Sequence, residues 1–237
     1  MRRVLIPVRL RTLCRVAVVA EIWRYPVKSM GGEKLETCRV VENGLVGDRR
    51  WALVDGTPNR AGKLLTIRQH EKMLTYRASL QGEVAVVLAP DGGVHAVGAG
   101  LVSVLAEESK RPLQLRDLAG ANFDDSPVLV VNLASIRAFA EQAGMHVDHR
   151  RFRANLYLEG MNAFEEVSWV GRQIRAGDAE LQVVARDERC VVITRDPDTT
   201  AATPELLRLL AERHDTRMGV YCQVAKAGQV AVGDHVG

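Results

Sequence analysis

The chain has 237 residues, 47% of them hydrophobic and 26% charged, with a formal net charge of +3. That length suits one large domain or two small ones around a real core, and the charge is too slight to argue for a nucleic-acid partner. No apolar run approaches the roughly 18–20 residues that span a bilayer, so no membrane partner is expected. The four cysteines, Cys14, Cys38, Cys190 and Cys222, show no C-x-x-C spacing and are too few for a disulfide framework, which points to a reducing, cytoplasmic setting.

Residues 1–15 carry five arginines and no acid and read as a short extension ahead of the first strand. Residues 16–25, V-A-V-V-A-E-I-W-R-Y, are β-branched and aromatic and read as a strand stopped by Pro26. The Gly-rich loop Val27-Lys28-Ser29-Met30-Gly31-Gly32 follows. A second strand is expected over 35–41, closed by the hairpin-type turn Glu42-Asn43-Gly44, a third over 49–55 containing Trp51, and a short fourth over 64–67. Segments 75–80, 84–88 and 94–97 continue the pattern around Pro90-Asp91-Gly92-Gly93. Strands at this density argue for a barrel or sandwich.

Residues 101–109 read as a short helix, 111–118 give little, and the small, polar segment 119–126 marks a boundary between domains at 16–118 and 119–237. Residues 127–131 form a buried strand. Asn132 is placed as the N-cap of a helix over 133–143, with Ile136, Phe139, Ala140 and Ala143 on one face and Gly144 at C′. Strands are expected at 152–158 and 181–185. Another begins at Cys190, runs through Val191-Val192-Ile193-Thr194 and ends in the turn Asp196-Pro197-Asp198. Thr203 and Pro204 open a second helix with Leu206, Leu207, Leu209 and Leu210 as its apolar stripe. Residues 220–225 and 229–236 close the chain as a hairpin around Ala227-Gly228.

The chemistry is placed in 185–199, A-R-D-E-R-C-V-V-I-T-R-D-P-D-T, where Cys190 sits among Arg186, Arg189 and Arg195. Guanidinium groups favour the thiolate, which is both a nucleophile and a soft metal ligand. The plain alternative is a buried cysteine packing as a small apolar side chain. Lys28-Ser29 could cradle a phosphate with backbone amides, a hydroxyl and an ammonium, or could be a solvated loop. Arg49 and Arg50, at a strand start, point to opposite faces, so at most one serves a given pocket, and Arg68 has the same ambiguity. Alternation along a strand puts Arg151, Arg153 and Asn155 on one face, suited to phosphate or a polar heterocycle, or else forming a basic solvated edge. His146 and His149 lack a third ligand at a useful spacing and read as loop residues.

Taken in order, Y-P-V-K-S (25–29), G-L-V-G-D-R-R-W (44–51), L-T-I-R (65–68), R-F-R-A-N-L (151–156), E-R-C-V-V-I-T-R-D-P-D-T (188–199) and V-G-D-H-V (232–236) resemble the MOSC proteins, with their N-terminal β-barrel domain. The resemblance runs from about residue 16 to 236. It implies a β-rich α/β fold, an N-terminal β-barrel-like domain followed by a MOSC β-barrel with a few flanking helices, holding a molybdenum cofactor of molybdopterin type. Cys190 matches the cysteine that ligates molybdenum in the amidoxime-reducing members, which makes it the implied metal ligand and catalytic residue. Lys28, Ser29 and Arg49 match positions that contact the pterin and phosphate. Arg153 and Asn155 match an R-P-N motif in which this chain has Ala154 for the proline, and Arg68 matches a motif arginine. The family also carries pyridoxal phosphate binding as a general term.

The resemblance implies an oxidoreductase that reduces small N-hydroxylated or related N–O or S–O substrates. No Cys-rich tail follows the last strand, so electrons are expected from a separate flavin or iron–sulfur protein. The alternatives are a persulfide carrier that transfers sulfur from Cys190 and a cofactor carrier without turnover.

Overall fold

The computed structural model describes residues 16–118 and 122–237. The extension 1–15 and residues 119–121 of the expected boundary segment lie outside the described residues. In chain order the elements are β1 Ala17–Arg24, β2 Glu33–Leu35, β3 Thr37–Val41, β4 Gly44–Leu45, β5 Trp51–Asp55, β6 Lys63–Leu64, β7 Arg77–Gln81, β8 Val84–Leu88, β9 Val94–Ala96, α1 Ala99–Ser109, β10 Leu113–Asp117 and β11 Val128–Asn132. Then come α2 Leu133–Ala143, β12 Leu156–Glu159, β13 Gln173–Ala176, β14 Ala179–Glu188, α3 Pro204–His214, β15 Arg217–Lys226, β16 Gly228–Ala231 and β17 His235–Val236.

Seven strands close a barrel in the order β12-β11-β15-β14-β13-β17-β1, with β1 returning to β12 and carrying β2 at its far end. β1 starts with alternating burial, Ala17 and Val19 inward, and a bulge between Val19 and Glu21 resets the phase so that Ile22 turns inward and Glu21 does not. The barrel interior is packed with Val19, Ile22, Val130, Leu156, Leu158, Leu181, Val183 and Val220. β11 is buried along its whole length. Its other face, Leu129 and Val131, packs with Phe139 of α2, Leu206 and Leu210 of α3, and Phe152. A continuous apolar run is the pattern of a strand covered on both faces.

Three smaller sheets flank the barrel: β10-β5-β6, β7-β8-β9 and β16-β3-β4. Trp51, Leu53, Leu65, Met73, Tyr76, Val87, Leu101 and Leu105 make a second core between the first two sheets and α1. The β-rich fold read from the sequence is therefore present, and β11 and α2 fall within a residue of where the sequence put them. Asn132 accepts from the amide of Ala134, and Gly144 closes the helix at φ 63°.

Local departures have physical causes. The expected strand at 152–158 is a 3-10 turn at His149–Phe152 followed by β12. Asp148 caps that turn through the Arg150 amide, and the Tyr157 hydroxyl accepts from the Ala154 amide while donating to the His149 carbonyl. Residues 191–194 also form a 3-10 turn, so Cys190 caps a turn and does not begin a strand. Thr194 Oγ1 donates to the Val191 carbonyl and Arg151 Nη1 to the Thr194 carbonyl, and the long-range bond adds to the local one in overriding β-branched propensity. Arg49 and Arg50 precede β5, and the segment 111–118 holds the edge strand β10. Thr203 stands at the α3 N-cap, yet its side chain makes no capping bond. The expected closing hairpin is absent from the pairing: β16 leaves β15 and pairs with β3. A Cβ at Gly228 would meet the Asp178 carbonyl carbon at 2.3 Å, so only glycine lets the chain pass the β13–β14 turn there.

Candidate functional site

Two loops run side by side at one end of the barrel. Lys28 donates its amide to the Trp51 carbonyl at 2.8 Å, Arg49 to Tyr25 at 2.8 Å, and Trp51 to Pro26 at 3.1 Å. Asp48 Oδ1 accepts from the Tyr25 amide at 2.7 Å. Ser29 (φ 72°) and Arg49 (φ 46°) adopt the left-handed region that L residues disfavour, as does Arg153 (φ 54°) after the 149–152 turn. Strained backbone gathered in one place is a mark of a site whose geometry the fold enforces.

These loops, the 149–155 segment and the 187–193 segment enclose a cavity of about 360 Å³. Lys28, Ser29, Arg49, Arg68, Arg153, Asn155 and Cys190, the residues singled out in the sequence, all line it. Cys190 is a free, half-buried thiol whose Sγ accepts from Arg68 Nη2 at 3.1 Å. Burial works to lower the Arg68 pKa, and Cys190, Asp124 and Tyr221 together more than offset this.

The cations differ in how they are held. Arg49 pairs with Asp48, donates to Asn155 Oδ1 at 3.3 Å and to the Arg153 carbonyl at 3.1 Å. Burial opposes its charge, and Asp48 more than restores it. Lys28 Nζ donates to the Asn122 carbonyl at 2.6 Å and to Asp124 Oδ1 at 2.7 Å. Burial nevertheless pushes the Lys28 ammonium below its ordinary value. The Arg153 guanidinium lies 4.5 Å from the centre of the Tyr25 ring, with that of Arg49 at 5.0 Å. Such stacking supports a cation without neutralising it. No ion pair reaches Arg153 among the described residues, and burial, with Arg49 nearby, lowers its pKa. The Tyr25 hydroxyl is pushed up by burial to about 12, so it stays protonated and donates to the Ala154 carbonyl at 3.3 Å.

Asn155 spends its amide inside the protein. Oδ1 accepts from the Leu129 amide at 3.1 Å as well as from Arg49, and Nδ2 donates to the Trp23 carbonyl at 3.2 Å. It joins β1, β11 and Arg49. The shared strand face expected for Arg151, Arg153 and Asn155 does not exist. Arg151 is buried on the far side, where Nη1 donates to the Thr194 carbonyl at 2.9 Å and Nη2 meets Asp196 at 3.2 Å.

Among the arginines flanking Cys190, only Arg189 lines the cavity. It pairs with Asp187 and donates to the Phe152 carbonyl at 2.6 Å. Arg186 turns to the His214 carbonyl, and Arg195 to Glu71. The lining residues without a role in the sequence reading include Asp124, Asp125, Tyr221 and Asp187. The acidic pair sits in the segment read as a domain boundary, and polarity in a loop gives no sign of which cavity it faces.

Among the described residues no group of three or more His, Cys, Asp or Glu side chains could hold a metal ion by itself. No helix among them is long and apolar enough to cross a membrane. Comparison with known proteins gives these features a context. Mitochondrial amidoxime-reducing component 1 from Homo sapiens is 26% identical over 81% of this chain and 70% of its own length. Mitochondrial amidoxime reducing component 2 from Homo sapiens is 25% identical over 97% of this chain and 86% of its own. Molybdenum cofactor sulfurase from Drosophila mojavensis is 26% identical over 83% of this chain but only 30% of its own length. The crystal structure of the YUAD protein from Bacillus subtilis shares the fold, with a TM-score of 0.53 at 15% identity over 93% of this chain and 94% of that one. The MOSC N-terminal β-barrel domain matches residues 16–126 and the MOSC domain matches 110–237, so the chain belongs to the MOSC domain family.

Proposed function

We propose that the cavity holds a molybdenum cofactor of molybdopterin type, and that the protein is a molybdenum-dependent oxidoreductase acting on small N-hydroxylated or related N–O or S–O compounds. The observation that carries this reading is the single cavity that gathers a free thiol and the cations Lys28, Arg49, Arg68 and Arg153. The donor set fits such a group. Arg153 is a cation without an anionic partner among the described residues. Cys190 offers one soft donor, and no all-protein cage exists among the described residues, which suits a metal that arrives with its own ligands.

In this reading the Cys190 sulfur is the protein's metal ligand, and Arg68 orients it. Arg49 and Arg153 hold the terminal phosphate, with Lys28 and the Ser29 hydroxyl beside them. Asn155 acts by fixing Arg49. When bound, the cofactor would supply the redox chemistry of oxygen-atom removal, with electrons from a separate flavin or iron–sulfur protein. The two domains, at 16–118 and 119–237, and the cytoplasmic setting are parts of the same proposal. Relatives named as amidoxime-reducing components support the choice of substrate class.

The test is metal content after expression in a host that makes the cofactor, for the parent protein and Cys190→Ser. Near-stoichiometric molybdenum in the parent, lost or spectrally altered in the variant, is the expected result. Absence of molybdenum from both would replace this reading with a persulfide on Cys190, for which the half-buried free thiol and the sulfurase-named relative speak. Stable cofactor without redox cycling by any donor would leave a carrier.

A further inference from the structure

The cavity supplies its own anion. Asp124 Oδ1 sits 2.7 Å from Lys28 Nζ, and the two side chains are 63% and 9% exposed. The ammonium is thus enclosed, while its carboxylate partner comes from an open loop. Burial would raise the Asp124 pKa, yet Lys28, Arg49 and Arg68 together hold it below the usual carboxylate range, so the carboxylate faces the same cations that an anionic ligand would use. The loop is held from a second side, where Asn122 Nδ2 donates to the Arg49 and Arg50 carbonyls at 3.0 and 2.9 Å. Its fit is incomplete, because Asn122 Oδ1 is buried with no hydrogen-bond partner. Asp125 lines the same cavity, and no hydrogen bond or ion pair joins it to Lys28 among the described residues.

We propose that Asp124 is a specificity-determining counter-anion: it pairs with Lys28 and must yield it before a phosphate group can bind there. The inference rests on the cavity being an anion site and goes beyond it. A bare phosphate must displace a tethered carboxylate and gains only what Asp124 gave up. A phosphate monoester that also carries a polar heterocycle makes further contacts and displaces Asp124 at a net gain. Repulsion of the wrong ligand, more than attraction of the right one, then sets selectivity against the abundant free phosphate of a cell.

The test titrates inorganic phosphate calorimetrically into the parent protein, Asp124→Asn and Asp125→Asn. The asparagine at 124 keeps an acceptor for Lys28, and the variant at 125 removes an equal charge from the same loop. Asp124→Asn is expected to bind phosphate about tenfold more tightly than the parent, a step between exposed and enclosed ion pairs, with Asp125→Asn close to the parent. Adding Lys28→Met to Asp124→Asn is expected to abolish the gain. Equal affinity for Asp124→Asn and parent, an equal gain in Asp125→Asn, or a gain that survives Lys28→Met would each overturn the proposal. None of these outcomes alters the molybdenum content of the parent and Cys190→Ser, so the failure of either idea can be told from the failure of the other.

Discussion

Arg68 and Cys190 lie 122 positions apart in the chain and meet at 3.1 Å, guanidinium to sulfur. One comes from the loop after β6, the other from the turn after β14, so the thiol is oriented by a residue from the far half of the molecule. Replacing Arg68 with Met should reduce molybdenum retained through gel filtration several-fold. Arg68 is exposed, so the thermal midpoint should move by no more than about 2 °C, the scale of a surface change. A large loss of stability with metal retained would show that the contact serves the fold instead.

Asn155 connects strands more than it faces a ligand. Asn155→Ala leaves the buried Leu129 amide and Trp23 carbonyl without their partner and loosens Arg49. The expected cost is about 2–3 kcal/mol in urea denaturation, with unchanged secondary structure by circular dichroism. A cost below about 0.5 kcal/mol would contradict that role.

Arg151 holds the turn that presents Cys190, through the Ile193 and Thr194 carbonyls and Asp196. Arg151→Met should free this turn and make Cys190 react faster with a disulfide probe. The buried cysteines, Cys38 and Cys222, serve as internal controls and should stay unreactive. Unchanged reactivity at Cys190 would show that α3 alone fixes the turn.

Glu166 supplies a pH dependence remote from the cavity. It is fully buried, and burial raises its pKa above the ordinary 4.5 despite two 2.9 Å contacts from the Ser135 hydroxyl. The folded chain therefore binds a proton more tightly than the unfolded chain, and stability falls as pH rises from near 4.5 through the raised folded value. Glu166→Gln should flatten that slope and exceed the parent in urea midpoint at pH 8 but not at pH 4.5. A parallel slope in the two proteins would rule this out.

Legibility in the sequence followed the range of the interaction. The α2 helix was readable because Asn132, the apolar stripe and Gly144 act within a few residues. The Asp196 turn was readable for the same reason, its carboxylate accepting from the amides of Asp198 and Thr199. The Cys190 turn was not, since its β-branched run favours a strand and is overruled by Arg151 from another segment. The phase of 151–155 is the exception to that rule: it was lost to local bonds, the Asp148 cap and the Tyr157 hydroxyl, which strand alternation does not anticipate. The joining of Lys28, Arg49, Arg68, Arg153 and Cys190 in one cavity was reachable only through ordered motifs resembling a family, because no local rule brings such distant residues together. Asp124 had no such motif, and its part emerges only from its distance to Lys28.

Ala17 at the start of the first strand pairs with Val236 in the last. During synthesis the seam between them stays open until nearly every other strand has been made, and the long connection delays closure further. The loops that frame the cavity hang from this seam and its neighbours. A growing chain would thus offer the thiol and cations separately, and the cavity takes shape only once the barrel has closed.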